Sequence, residues 1–303
     1  MPDKTEAQIR SELKIGRLMT GYLPVKAVRW LQKLALNSVS LPEGVRTERV
    51  QVGSVSGEWF SASDPLDAPV ILYLHGGGFV YGVSHLHRKL VAHLAELTGG
   101  RVLMIDYRLA PEHPFPAALD DCLATYEALL AQGIAPDRLV IAGDSAGGNL
   151  TLGTLISLRD TGRPLPSAGV CLSPPVDLRE HDTDKWTNSP DALLHPRAVR
   201  YFVDSYVADN DPSNPLLSLV LADLRGLPPL FLCAGGEETL CADIMKLADV
   251  AAAQGAPLTL DIAEQMWHVW QLFYPELPDA VRSVQEIAAF IKQHTRQPAP
   301  THP

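Results

Sequence analysis

Strands alternating with helices constrain this chain more than any other feature of its sequence. Six short apolar runs read as strands: Val70–Leu74, Arg101–Ile105, Arg138–Ile141, Ala168–Leu172, Leu230–Ala234 and Leu258–Ala263. Helical periodicity fills most of the intervals, near 85–98, 117–132, 146–160 and 243–254, and a last helix is predicted at 278–294. Runs apolar at successive positions need cover on both faces, so the pattern predicts a mostly parallel sheet with helices on either side. A hairpin signal precedes them, with Arg49–Val52 and Glu58–Ser61 flanking Gly53 and Gly57. The expectation is an α/β protein with one doubly wound sheet of about eight strands.

Two stretches fall outside this rhythm. Residues 1–45 read as two amphipathic helical pieces with a break near Gly21–Pro24. In the second piece Val25, Val28, Leu31, Leu34 and Ala35 recur at helical spacing and need an apolar partner. Residues 174–228 separate two strands by far more than a crossover helix requires. They hold Trp186, Leu193, Leu194, Val199, Tyr201, Phe202, Val203 and Tyr206, so they predict an inserted helical subdomain and not a polar linker. Both segments are candidate lids on a domain spanning 46–297, and 298–303 reads as a disordered tail.

Charge and cysteine usage narrow the class. A formal net charge of −10 argues against nucleic-acid or anionic-membrane partners, and no Lys/Arg cluster stands out. Cys122, Cys171, Cys233 and Cys241 form no C-x-x-C pair, and two lie in strand-like apolar runs, which suits a reducing compartment. Neither a signal peptide nor a bilayer span is visible, so the expected location is cytoplasmic.

The chemistry centres on Gly143-Asp144-Ser145-Ala146-Gly147, which follows Leu139-Val140-Ile141 and leads into a helix. Such a strand–turn–helix pushes the serine hydroxyl above the sheet edge, with a helix N-terminus aimed at developing negative charge. A lone motif of this kind can equally be an ordinary tight turn. A nucleophilic serine also needs oxyanion donors, a base and an orienting acid. His75-Gly76-Gly77-Gly78-Phe79 follows the strand Val70–Leu74, and its glycines can turn backbone N–H groups toward a site. It lacks the Gly-Lys-Ser/Thr ending of a phosphate loop.

His268, in Gln265-Met266-Trp267-His268-Val269-Trp270, is the one histidine placed just after the last strand, which makes it the candidate base. His85 and His87, two apart on a helix, do not face one ligand, and Ser84 before them is a helix cap. His113, in a proline-flanked loop, reads as structural. The orienting acid should follow the strand Leu230–Ala234, where Glu237, Glu238 and Asp243 compete. Asp243 suits a cap of the helix at Ile244–Ala253, and spacing does not separate the two glutamates.

Taken together, His75–Phe79, Tyr107-Arg-Leu-Ala-Pro-Glu-His-Pro-Phe-Pro-Ala117, Gly143–Asn149 and Met266–Trp270 resemble the bacterial hormone-sensitive-lipase-like esterases, an α/β-hydrolase family. The likeness is collinear from about residue 48 to 295. It implies an α/β-hydrolase fold with a helical cap built from residues 1–45 and the 174–228 insertion. It also implies that Glu238, in Glu238-Thr239-Leu240, is the acid beside Ser145 and His268. By the same resemblance Gly77, Gly78 and Ala146 supply the oxyanion hole, His75 and Gly76 shape its turn, and Tyr107–Ala117 buttresses the loops. The expected activity is hydrolysis of short- to medium-chain acyl esters through an acyl-enzyme, on a small-molecule substrate, with no metal or organic cofactor. The family includes dimers, so a homodimer is allowed.

Two rival readings share these residues. The same triad could cleave amides or lactones, or a relative of the family could be a non-catalytic small-molecule receptor, although receptors of this kind normally lose the histidine that is present here. A purely structural role leaves the whole constellation unexplained.

Overall fold

The computed structural model describes residues 5–36, 38, 40–62, 68–179 and 191–295. Trp186 and the expected tail at 298–303 lie outside the described residues. Eight strands form one sheet: β1 (Arg46–Val52), β2 (Val55–Ser61), β3 (Val70–Leu74), β4 (Arg101–Ile105), β5 (Leu139–Asp144), β6 (Ala168–Leu172), β7 (Leu230–Gly235) and β8 (Leu258–Ala263). Their order is β1-β2-β4-β3-β5-β6-β7-β8. The hairpin β1–β2 and the β2–β4 pair are antiparallel, and every other pairing is parallel. This is the α/β-hydrolase architecture.

The strand alternation divides the core. Along β3, Val70, Leu72 and Leu74 join the apolar layer beneath α4 (Ala117–Ala131) and α5 (Ala146–Asp160), while Ile71 and Tyr73 enter the layer beneath α3 (His85–Thr98). All five residues are buried, as a strand covered on both faces requires. Cys171 and Cys233 fill strand positions of this core, and all four cysteines are free thiols. β5 runs to Asp144, longer than its apolar run suggests, because Ala142 and Gly143 stay paired with β3 and β6.

Among the described residues, α1 (Glu6–Tyr22), α2 (Val25–Ala35) and α6 (Pro196–Val207) lie outside the strand–helix alternation, yet each sends side chains into the core: Ile9 and Leu13 into the layer beneath α3, and Val28, Val199 and Val203 into the layer beneath α4 and α5. They make the cap. The turn between α1 and α2 packs on the start of α6, where the Tyr22 ring meets His195 edge-on and Arg197 lies over it. Arg10 and Arg29 tie the two N-terminal helices down, Arg10 to Glu237 and the Gln265 carbonyl, Arg29 to the Val80 and Ala110 carbonyls and to Glu112. One expectation changes here. Of the periodic apolar residues of α2, only Val28 is buried, while Leu31 and Leu34 stand exposed beside Trp30. Polar anchoring by Arg29 holds the helix where burial of an apolar stripe was expected to.

Candidate active site

The carboxyl ends of parallel strands converge on one crevice, the usual place for a site on such a sheet. His75 follows β3, Ser145 follows β5, Ser173 follows β6, Glu238 lies just past β7 and His268 five residues past β8. Ser145 sits at φ 51° and ψ −122°, a strained backbone that lifts its side chain from the turn. Its own N–H is held by the Leu172 carbonyl at 2.7 Å. Gly147 allows the turn to close: a Cβ there would collide with the Leu74 carbonyl.

Ser145 Oγ lies 2.8 Å from His268 Nε2. On the other side of the ring, Nδ1 stands 3.4 Å from Glu238 Oε2. That contact is longer than an ideal N–H···O hydrogen bond. Ser173 links the two loops, its hydroxyl donating to Glu238 Oε2 at 2.7 Å and accepting the Val269 N–H at 3.2 Å. Histidine and glutamate are both fully enclosed. Burial raises the Glu238 pKa, opposed by His268 and Ser173. Burial by itself would lower His268, but the Glu238 contact and charge, with the nearby Asp191 and Asp144 carboxylates, leave its pKa raised.

The glutamates part company in space. Glu238 turns inward to His268, whereas Glu237 is half-exposed and accepts Arg10 Nη1 at 2.8 Å. Asp243 does not cap its helix. That helix, α7 (Cys241–Gln254), begins at Cys241, so Asp243 falls in its first turn and pairs with Lys246. An acid there suits the positive end of the helix dipole.

The glycine loop is held from beneath by Asp144, a residue whose role sequence reasoning missed. Its Oδ1 accepts the Tyr73 hydroxyl at 2.8 Å and the Gly76 N–H at 3.0 Å, and its Oδ2 lies 3.2 Å from His87 Nε2. Burial pushes the Asp144 pKa up, but His87 and Tyr73 outweigh it and hold the carboxyl below its ordinary value. His87 also closes the capping box of α3 with Ser84. His75 stacks on Tyr107, whose hydroxyl donates to the His75 carbonyl at 2.6 Å. Burial and the neighbouring His87 lower the His75 pKa to about 4, so the ring is neutral, and its Nδ1 donates to the Gly76 carbonyl. With the loop fixed this way, Gly77, Gly78 and Ala146 send their backbone N–H groups to no acceptor among the described residues.

Above Ser145 lies a small apolar chamber of about 40 Å³, walled by Leu178, Leu194, Val199, Phe202, Val203 and Leu240. A wider vestibule of about 460 Å³ opens between the α1–α2 turn and α6, and Phe202 lines it too. Phe202 therefore stands between the two spaces. Gly78, at φ 61°, accommodates it: a Cβ there would collide with the Phe202 ring. A larger cleft of about 580 Å³ along residues 275–289 carries none of these groups.

Residues 71–272 match the alpha/beta hydrolase fold family. The chain is 39% identical over 265 residues to an acetyl-hydrolase of Streptomyces hygroscopicus, covering 86% of each protein. It is 33% identical over 248 residues to an esterase of Acinetobacter venetianus, covering 81% of this chain and 82% of that one. The crystal structure of an esterase from the bacterial hormone-sensitive lipase family superposes with a TM-score of 0.87 at 38% identity, over 97% of this chain and 100% of the other. Serine, histidine and glycine loop thus stand on a fold whose relatives cleave esters. This chain belongs to the bacterial hormone-sensitive-lipase-like family of α/β-hydrolase-fold esterases, and it is a carboxylic-ester hydrolase.

Proposed function

We propose that hydrolysis runs through an acyl-enzyme on Ser145, with His268 as general base and Glu238 as the acid that orients it. Oγ attacks the ester carbonyl as His268 Nε2 takes its proton, and Glu238 fixes the ring tautomer and stabilises the imidazolium. Gly77, Gly78 and Ala146 donate to the tetrahedral oxyanion, while His75 and Gly76 shape the loop that presents them. Each such donor is worth about 2.7–4 kcal/mol of barrier. His268 returns the proton to the leaving alcohol, and water repeats the sequence on the acyl group.

The observation that carries this reading is the 2.8 Å contact between Ser145 Oγ and His268 Nε2, with Glu238 behind the ring. Three backbone donors without an acceptor among the described residues, beside the serine, support the oxyanion assignment. The test is ester turnover by Ser145→Ala, and activity at the wild-type rate would exclude the mechanism.

The substrate in this reading is a small, short- to medium-chain acyl ester. The narrow apolar chamber at Ser145 supports the short end. The similarity to an acetyl-hydrolase points the same way. Residues 1–45 and the 174–228 insertion form the cap that governs access, through the vestibule and past Phe202.

A further inference from the structure

The exposed side of the N-terminal cap has a composition unlike the rest of the molecule. From Leu13 to Leu36 the chain holds five basic residues, Lys14, Arg17, Lys26, Arg29 and Lys33, and no acidic one, within a protein of net charge −10. Arg29 turns inward to carbonyls and Glu112, while Lys14, Lys26 and Lys33 are exposed.

The same stretch exposes an ordered apolar surface. Ile15, Leu18, Met19 and Tyr22 recur at i, i+3, i+4 and i+7 on α1, and all are exposed. On α2, Trp30 is 60% and Leu34 63% exposed, with Leu31 beside them. Apolar stripes that the protein leaves uncovered are uncommon on a monomer surface and mark an interaction site. The stripe of α1 ends at Tyr22, which with Leu23 and Val25 lines the mouth of the vestibule.

Against the expectation set by the net charge of −10, which overlooks how the basic residues of 13–36 gather on one face, we infer that this cap face docks on the surface of an anionic phospholipid bilayer. Amphipathic helices with Trp and Leu on one side and Lys/Arg beside them lie in the headgroup plane, with the apolar side inserted and the cations near lipid phosphates. Charge complementarity selects this occupant over a second copy. Two such faces meeting about a twofold axis would oppose basic residues to basic residues. The overall negative charge then orients the protein, because only the cap is attracted and the remainder is repelled. Docked this way, the vestibule mouth faces the headgroup region, where amphiphilic esters partition.

The experiment is co-sedimentation of the full chain with vesicles of phosphatidylcholine containing about 30% phosphatidylglycerol, against pure phosphatidylcholine vesicles. Wild type should be retained on the anionic vesicles only, and released by about 0.5 M salt. Trp30→Glu/Leu34→Glu should lower the partition coefficient about tenfold or more while hydrolysing a water-soluble ester at the wild-type rate, which also reports folding. Lys14→Glu/Lys33→Glu should weaken anionic binding alone. Failure of wild type to bind anionic vesicles overturns the inference. So does binding that neither double variant changes, since another surface is then responsible. An oligomer of wild type that Trp30→Glu/Leu34→Glu dissolves, without vesicle binding, overturns it in favour of self-association.

Discussion

Arg10 Nη1 lies 2.8 Å from Glu237 Oε2, one residue along the chain from the carboxylate that faces His268. The same guanidinium donates to the Gln265 carbonyl and lies 4.6 Å above the Trp267 ring. One arginine of the cap thus grips both loops that bring Glu238 and His268 together. The consecutive glutamates face apart: Glu237 pairs with Arg10 of α1, and Glu238 faces His268, in keeping with the proposed role of Glu238 in the reaction.

That division predicts opposite outcomes for neighbouring substitutions. Glu238→Ala should lower kcat by roughly 10⁴-fold, as loss of an orienting carboxylate does. Glu237→Ala removes a half-exposed pair worth about 0–1 kcal/mol and should change kcat by no more than a few-fold. Steady-state kinetics on one short-chain ester compares them directly. Equal losses would mean that the roles have been assigned wrongly.

The pH profile follows from the environment of His268. A general base works unprotonated, and in the proposed role His268 has a pKa that the Glu238 carboxylate holds above the ordinary 6.5. The acid limb of kcat/KM should therefore have its midpoint above 6.5, with activity lost as pH falls through it. In Glu238→Gln the charge is gone and burial dominates, so the midpoint should move down. An unchanged or higher midpoint in that variant would contradict the assigned pairing.

Phe202 should set the acyl-chain limit. It separates the chamber at Ser145 from the vestibule. Phe202→Ala joins the two spaces and should move the optimum in a p-nitrophenyl ester series toward longer chains, with a fall in KM for those esters. An optimum that stays at short chains would show that another wall limits length.

Asp144→Ala should cost stability as well as rate. It strips the partner from the Tyr73 hydroxyl and the Gly76 N–H, both buried, and leaves His87 facing a gap. The expected loss is about 3 kcal/mol in denaturant unfolding, since buried donors lose their acceptor. Loosening of the oxyanion loop should also lower kcat more than it raises KM. Wild-type stability in this variant would refute a structural role for the network.

Much of this architecture was readable in the sequence because it is written locally. The five-residue apolar run of β3, the glycines around Ser145 and the position of His268 after the last strand each carry their own signal. What was not readable depends on contacts between distant segments. Arg10 meets Glu237 across 227 positions, and Ser173 meets Glu238 across 65. Asp144 sits inside the most legible motif, yet its task concerns Tyr73, Gly76 and His87, none of which its spacing reveals. Periodicity located α2 but not its exposure, because a 3.6-residue repeat shows that a face is apolar without showing what covers it.

The most direct test of the central claim is intact-mass analysis after treatment with an organophosphate, followed by peptide mapping. One adduct per chain is expected, located on Ser145, with loss of ester turnover in proportion to labelling and no adduct on Ser145→Ala. An adduct on another residue, or full turnover by the labelled enzyme, would contradict it.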